Sequence, residues 1–181
     1  MLDDLVKEYL SLSDIMRKGY KDSLRTESQT WNETLSRLSP VVPDVFKAIY
    51  GEVSGTYRGI DNQTYMDFVP GYRLIHIEEL EKEYHTLLQM LASDDICEAR
   101  IRTIIPLLAD YSSCYVCYVE TYNNEEAVFH FSPDNGLQKM HASAELFFKT
   151  MIAFYLSGVF HLDEEGFLDY DFEREGIIGA E

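Results

Sequence analysis

The chain has 181 residues, 46% of them apolar, with thirteen Tyr, ten Phe and one Trp. That is enough for one domain with a real core, and it excludes a disordered chain. Thirty-two acids against fifteen bases give a net charge of −17, which argues against nucleic acid and anionic membrane as partners because phosphate would be repelled.

The imbalance is uneven. Residues 1–56 carry net −2, residues 57–109 net −4, and residues 110–181 hold fourteen acids and three bases, net −11. A basic partner would be attracted to such a surface, although acidity also serves plain solubility. The three cysteines (Cys97, Cys114, Cys117) are an odd number. With a start, MLDDLVKEYL, that has no basic n-region and no unbroken apolar core, they lead to the expectation of a reduced, cytoplasmic protein. No apolar run reaches the ~18 residues of a membrane span.

Residues 3–17 carry Leu5, Val6, Tyr9, Leu10 and Leu12 or Met16 at helical spacing. Residues 18–27 are polar and leave the helix free to continue or break. Trp31, Leu35 and Leu38 predict a second helix over 28–38, which Pro40 ends. Pro43 sits near the first turn of a third, with Val45, Phe46, Ile49 and Tyr50 inward and Gly51 or Gly55 closing it. Residues 56–68 are turn-rich, with room for one or two short strands.

Then comes VPGYRLIHIEEL, residues 69–80. Pro70-Gly71 turns the chain, Tyr72–Ile75 extends it, and a helix runs from about 77 to 92 with Leu80, Tyr84, Leu87, Leu88 and Leu91 on one face. Glu78 and Glu79 fall in its first turn, where the helix dipole favours carboxylates. That is reason enough for the pair without invoking acid–base chemistry.

The second half changes period. Ile101–Leu108 is apolar with Pro106 inside it, which suits an edge strand or a strand end. Asp110–Ser113 is a turn. Cys114–Glu120 is apolar on both faces and predicts a central strand. Turns at Asn123-Asn124 and Pro133–Gly136 separate strands at 127–131 and 138–141, so antiparallel pairing is expected. Ser143 caps a helix over about 144–157, where Leu146, Phe147, Phe148, Met151, Ile152, Phe154 and Tyr155 wrap most of the circumference and predict the most buried helix. Gly158 ends it. The tail, HLDEEGFLDYDFEREGIIGAE, holds eight acids and one base. No repeat, linker or low-complexity tract divides the chain. The fold class is therefore α+β: N-terminal helices, a central, mainly antiparallel sheet and a packed C-terminal helix in one domain, 1–181.

Few candidates for chemistry emerge. In CYVC (114–117) the two sulfurs would point to opposite faces of a strand. The five histidines (His76, His85, His130, His141, His161) form no HExxH and no Cys/His cluster, and no cofactor is expected. Ser112-Ser113 lacks the nucleophile elbow, and no phosphate-binding glycine loop occurs. Asp163, Glu165 and Asp169 do not match a calcium-loop spacing. A hydrolase built on a buried acid such as Asp110 lacks a visible nucleophile–base pair. What remains is DEEGFLDYDFERE (163–175), where acids are interleaved with Phe167, Tyr170 and Phe172. Aromatic anchors among charges suit an interface.

The order of segments resembles the SUKH superfamily, the Smi/Knr cell-wall-assembly-regulator-like family. PVVPDVFKAIYGEVSG is similar to its opening block, PGYRLIHIEELEKEY to the turn–strand–helix block that follows, and IPLLADYSSCYVCYVE to the block where a Pro and an Asp precede a strand. VFHFSPDNGLQKMHASAELFFKTMI is similar to its last block. The resemblance covers about 40–157 and leaves 1–39 as a helical extension and 159–181 as an acidic tail. The chain departs from it at Ser112-Ser113, where glycines are usual, and at His76, where a Ser-like cap is usual.

The resemblance implies a non-enzymatic protein-binding domain. Many bacterial members are immunity proteins that block a toxin, often a nuclease, and fungal relatives are scaffolds in cell-wall signalling. The expectation is an immunity protein that binds a basic, nuclease-type toxin. The alternative is a regulatory or scaffold domain with a host protein partner. The acids expected at the interface are Glu125, Glu126, Asp163, Glu164, Glu165, Asp169 and Asp171, with Tyr122 and Tyr170 as anchors. The aromatic content leaves a homodimer open.

Overall fold

Tyr9 is where the N-terminal helix meets the rest of the protein. In the computed structural model, which describes residues 1–25, 31–93 and 101–173, its ring lies 4.7 Å from Phe68, 5.6 Å from Phe148 and 5.4 Å from Tyr155. Its hydroxyl donates to the Phe68 carbonyl. Helix α1 (Leu2–Met16) thus packs along helix α6 (Ala144–Ser157), and Ser13, buried among the apolar residues, donates its hydroxyl to the Tyr155 oxygen at 3.0 Å. The expected N-terminal extension is part of the core.

A short helix, α2 (Tyr20–Ser23), follows, then α3 (Trp31–Leu38) and α4 (Asp44–Tyr50). Pro43 is the N-cap of α4, as its fixed φ favours. Five of its seven residues are buried, including Phe46, whose ring meets Tyr118 of the sheet at 6.0 Å. This makes α4, and not α6, the most completely buried helix. Being short, it is wedged between α1, α3 and the sheet, whereas α6 leaves Leu146 and Leu156 exposed. The expected strands within 56–68 reduce to a single 3-10 turn, Gln63–Tyr65, and isolated bridges flanking it.

Five antiparallel strands form one sheet in the order β1-β2-β3-β4-β5: Arg73–Leu74, Ile101–Ala109, Tyr115–Thr121, Glu126–Ser132 and Gly136–His141. Strand β3 is central, and Tyr115–Val119 are all buried, as the two apolar faces predict. Strand β1 pairs only with Leu108 and Ala109, so β2 is an edge over the rest of its length. Pro106 sits beside an irregularity in its pairing, where the missing N–H costs least.

Helix α5 (Ile77–Ser93) buries Leu80 and Leu87, with Tyr84, Leu88 and Leu91 half-buried, on the expected stripe. Ser143 caps α6 by accepting from the Leu146 N–H at 3.0 Å, and Gly158 closes it at φ +74°. The chain then folds into a hairpin that the acidic composition concealed. Strands β6 (Phe160–Leu162) and β7 (Leu168–Tyr170) pair antiparallel, and Phe160 and Leu168 are buried. Cys97, residues 28–30 of the expected second helix and residues 174–181 of the tail lie outside the described residues.

His76 and Ser113 each have a local role or conformation that the structure makes plain. His76 does the work of a Ser-like cap: its Nδ1 accepts from the Glu78 N–H at 3.2 Å. Ser113 stands at φ +71°, a conformation that glycine adopts without strain. Replacement of Ser113 by Gly is therefore expected to raise stability by about 0.5–1 kcal/mol, read as a higher urea midpoint at unchanged slope.

Candidate functional site

The stretch VPGYRLIHIEEL is a cross-link. Gly71, at φ +82°, donates its N–H to Asp67 Oδ2 at 2.9 Å and turns the chain into β1. Arg73, only 2% exposed, is the centre. Its Nη1 donates to the Thr56 carbonyl and to Glu79 Oε2, both at 2.7 Å, and its Nη2 donates to Glu83 Oε1 at 2.9 Å. Glu83 in turn accepts from the Tyr115 hydroxyl at 2.7 Å. One guanidinium thus ties β1, α5, the 56–58 loop and the central strand together.

Beside it, Tyr57 stacks on His76 with ring centroids 3.6 Å apart and donates to Glu78 Oε2 at 2.5 Å. That hydrogen bond to a carboxylate pushes the Tyr57 phenol up to about 12. Burial holds the His76 imidazole below its ordinary value. Glu78 and Glu79 do stand in the first turn of α5, but they are also the acceptors for Tyr57 and Arg73. Their chemistry is that of a structural network.

Asp110 is equally occupied. Its Oδ1 accepts from the N–H groups of Ser112 and Cys114, both at 2.8 Å, and its Oδ2 accepts from the Ser112 hydroxyl. Partial burial works to raise its pKa, but these bonds outweigh it and hold the carboxyl below its ordinary value. Cys114 and Cys117 are free thiols, and burial pushes both upward, away from the thiolate. Among the described residues no group of His, Cys, Asp and Glu could hold a metal ion, and no helix is long and apolar enough to cross a membrane.

A different region has the shape of a binding site. A groove of about 740 Å3 runs between the sheet, α6, the Pro70-Gly71 turn and the β6–β7 hairpin. Phe147, Met151 and Phe154 of α6 form one wall, and Phe160, Tyr170 and Phe172 form the other. Its polar groups are few: His130 and His141 from the sheet, Thr150, and Asp169 at the rim. The His130 Nε2 is 2.8 Å from the Tyr72 hydroxyl, and burial lowers the His141 pKa. Tyr170 meets Phe154 at 5.7 Å and Phe172 at 4.7 Å, and Phe172 is 78% exposed. The volume lies in the ordinary range for ligand sites, and the aromatic lining is typical of them.

No family model matches the chain, and a search of curated proteins finds no match either.

The expected interface residues fall into two groups. Asp163, Glu164 and Glu165 form the turn of the β6–β7 hairpin, Asp169 and Tyr170 lie on β7, and Asp171 follows it. Residues 160–173 hold six acids and no lysine or arginine. Asp163 has a structural task as well: its Oδ1 accepts from the N–H groups of Glu165 and Phe167, each at 2.9 Å. Asp171 Oδ1 accepts from the Glu173 N–H at 3.0 Å. Glu164 and Glu165 are exposed.

Tyr122, Glu125 and Glu126 belong elsewhere. They sit at the β3–β4 turn, where Tyr122 is 68% exposed. Four register steps separate the Val116–His130 pair at the groove from the Glu120–Glu126 pair at that turn, roughly 13 Å along the strands. The structure therefore does not bring them together with the hairpin. Sequence reading missed the groove residues of α6, because Phe147, Met151 and Phe154 look like any core face.

Two tests follow from the polar networks. Replacing Arg73 by Met leaves Glu79 and Glu83 without their cation and is expected to cost about 3–5 kcal/mol in chemical denaturation. Replacing it by Lys should recover only part of this, since an ammonium cannot reproduce the fork. For Asp110, the folded pKa lies below the unfolded value of 3.8. Its stabilising contribution is thus complete above that value and is lost as pH falls through the folded pKa. The stability gap between the parent and Asp110→Asn should be present at pH 7 and shrink below about pH 4, as read by denaturant titration at several pH values.

Proposed function

We propose that the chain is a non-enzymatic, cytoplasmic protein-binding domain that takes up a cationic protein through its C-terminal hairpin. The observation that carries this reading is the hairpin itself. Residues 160–173 present a run of acids with no compensating lysine or arginine, on a two-stranded frame held against α6 by Phe160, whose ring meets Phe154 and Tyr155. The SUKH-like order of segments supports a basic toxin of the nuclease type as the partner, which this chain neutralises as an immunity protein.

The physics is direct. A nuclease is cationic where it grips phosphate. A protein at −17 is steered toward that patch and competes with nucleic acid for it. Long-range attraction raises the encounter rate, and salt screens it within ~8 Å at physiological ionic strength. The free thiols of Cys114 and Cys117 suit a reducing compartment.

Co-expression tests this. Each reading frame beside the gene is expressed alone and with this chain, and survival is scored. A toxic neighbour that this chain silences supports the proposal, and a set of harmless neighbours contradicts the toxin clause. With the partner in hand, Glu164→Lys combined with Glu165→Lys is expected to lower the association rate by tenfold or more at low salt and by much less at high salt. A rate that is independent of salt in both proteins would count against an acidic docking surface.

A further inference from the structure

The walls of the groove beside the hairpin are aromatic and aliphatic, and among the described residues no lysine or arginine lines it. Its rim passes into the acid-bearing strand at Asp169 and on to Asp171 and Glu173. Phe172 stands exposed where the two meet, its ring edge-to-face with Tyr170. An apolar centre with acids along one edge is the pattern of an interface core passing into a polar rim.

From this we infer that the groove seats an apolar side chain from a basic segment of the partner. Lysines or arginines flanking that anchor reach the acids of β7 and the residues just after it. The inference rests on the reading of the chain as a binder of cationic proteins and names the place where that binding gains specificity. Charge complementarity decides the occupant. A second copy of this chain would bring another −17 to the same rim and be repelled. An anionic ligand would meet the same acids. A cationic segment with apolar anchors satisfies both the walls and the rim.

The test uses the full chain and two fluorescent peptides of equal charge, one alternating leucine with arginine and one alternating serine with arginine. Anisotropy titrations at physiological salt are expected to show the leucine peptide bound at least tenfold more tightly. Thr150→Trp fills the groove from α6, where the Thr150 hydroxyl bonds only back to the Leu146 carbonyl, so no contact between elements is lost. This variant should abolish the preference for leucine while leaving the weak binding of the serine peptide. Met140→Lys places a cation on an exposed groove residue and should weaken both peptides without risk to folding. Glu125→Gln with Glu126→Gln, at the far end of the sheet, should change neither.

Equal binding of the two peptides, or a leucine preference that survives Thr150→Trp in a variant with parental melting behaviour, overturns the groove assignment and leaves the acidic docking surface standing. Absence of binding by either peptide also overturns it, and the rescue experiment then decides the broader reading separately. Light scattering that shows a dimer abolished by Thr150→Trp would make the occupant a second copy and overturn the inference as well.

Discussion

One buried cation, Arg73, joins separate parts of this fold. Arg73 is withdrawn from water, and an unpaired charge in such a place would cost several kcal/mol. The cost is met by two carboxylates one helical turn apart, Glu79 and Glu83, and by the Thr56 carbonyl. The carboxylates come from α5 and the carbonyl from the loop at Thr56, so the network can form only when β1, α5 and that loop are in place together. Tyr115 extends it to the central strand through Glu83. The turn–strand–helix stretch around Pro70-Gly71 therefore acts as a hinge pin. Its acids are acceptors for the Arg73 guanidinium and the Tyr57 hydroxyl.

How much of this could be read from the residues follows from how local each cause is. The Ser143 cap, the Gly158 stop and the Pro133–Gly136 turn are set by neighbours within four positions, and all stand where the sequence places them. The central strand shows itself because Tyr115–Val119 are apolar on both faces. Arg73 does not, because nothing within its own element marks an arginine as buried. Its partners are six and ten residues away and its cover comes from α5 and β3. Ser13 is hidden for the same reason, since its partner Tyr155 lies 142 positions along the chain. The β6–β7 hairpin was legible and was obscured by charge. Phe160 and Leu162 alternate opposite Leu168 and Tyr170, and Gly166 stands at φ +88° in the turn.

The same contrast separates stability from recognition. The network pairs its guanidinium with Glu79 and Glu83, and its carboxylates are taken up by donors within the chain. The hairpin does the reverse: it spends one carboxylate oxygen of Asp163 on its own turn and leaves Glu164 and Glu165 facing water. Acids at the β3–β4 turn face the opposite end of the sheet. A partner that engages the groove and the hairpin would feel them through the long-range field and not through contact. In the proposed binding mode the general acidity of the chain sets the encounter and the aromatic groove sets the fit.

The most direct test of this division is a chemical-shift map. The isotopically labelled chain is titrated with the basic peptide that alternates leucine with arginine, and backbone amide shifts are followed. The account expects the largest changes on α6 around Thr150 and Phe154, on β7 and at the Pro70-Gly71 turn, with the amides around Arg73, Glu79 and Glu83 and those of the β3–β4 turn nearly unmoved. Changes centred on the Arg73 network, or on Tyr122 and Glu125, would contradict it and place recognition on a surface assigned here to stability or to the long-range field.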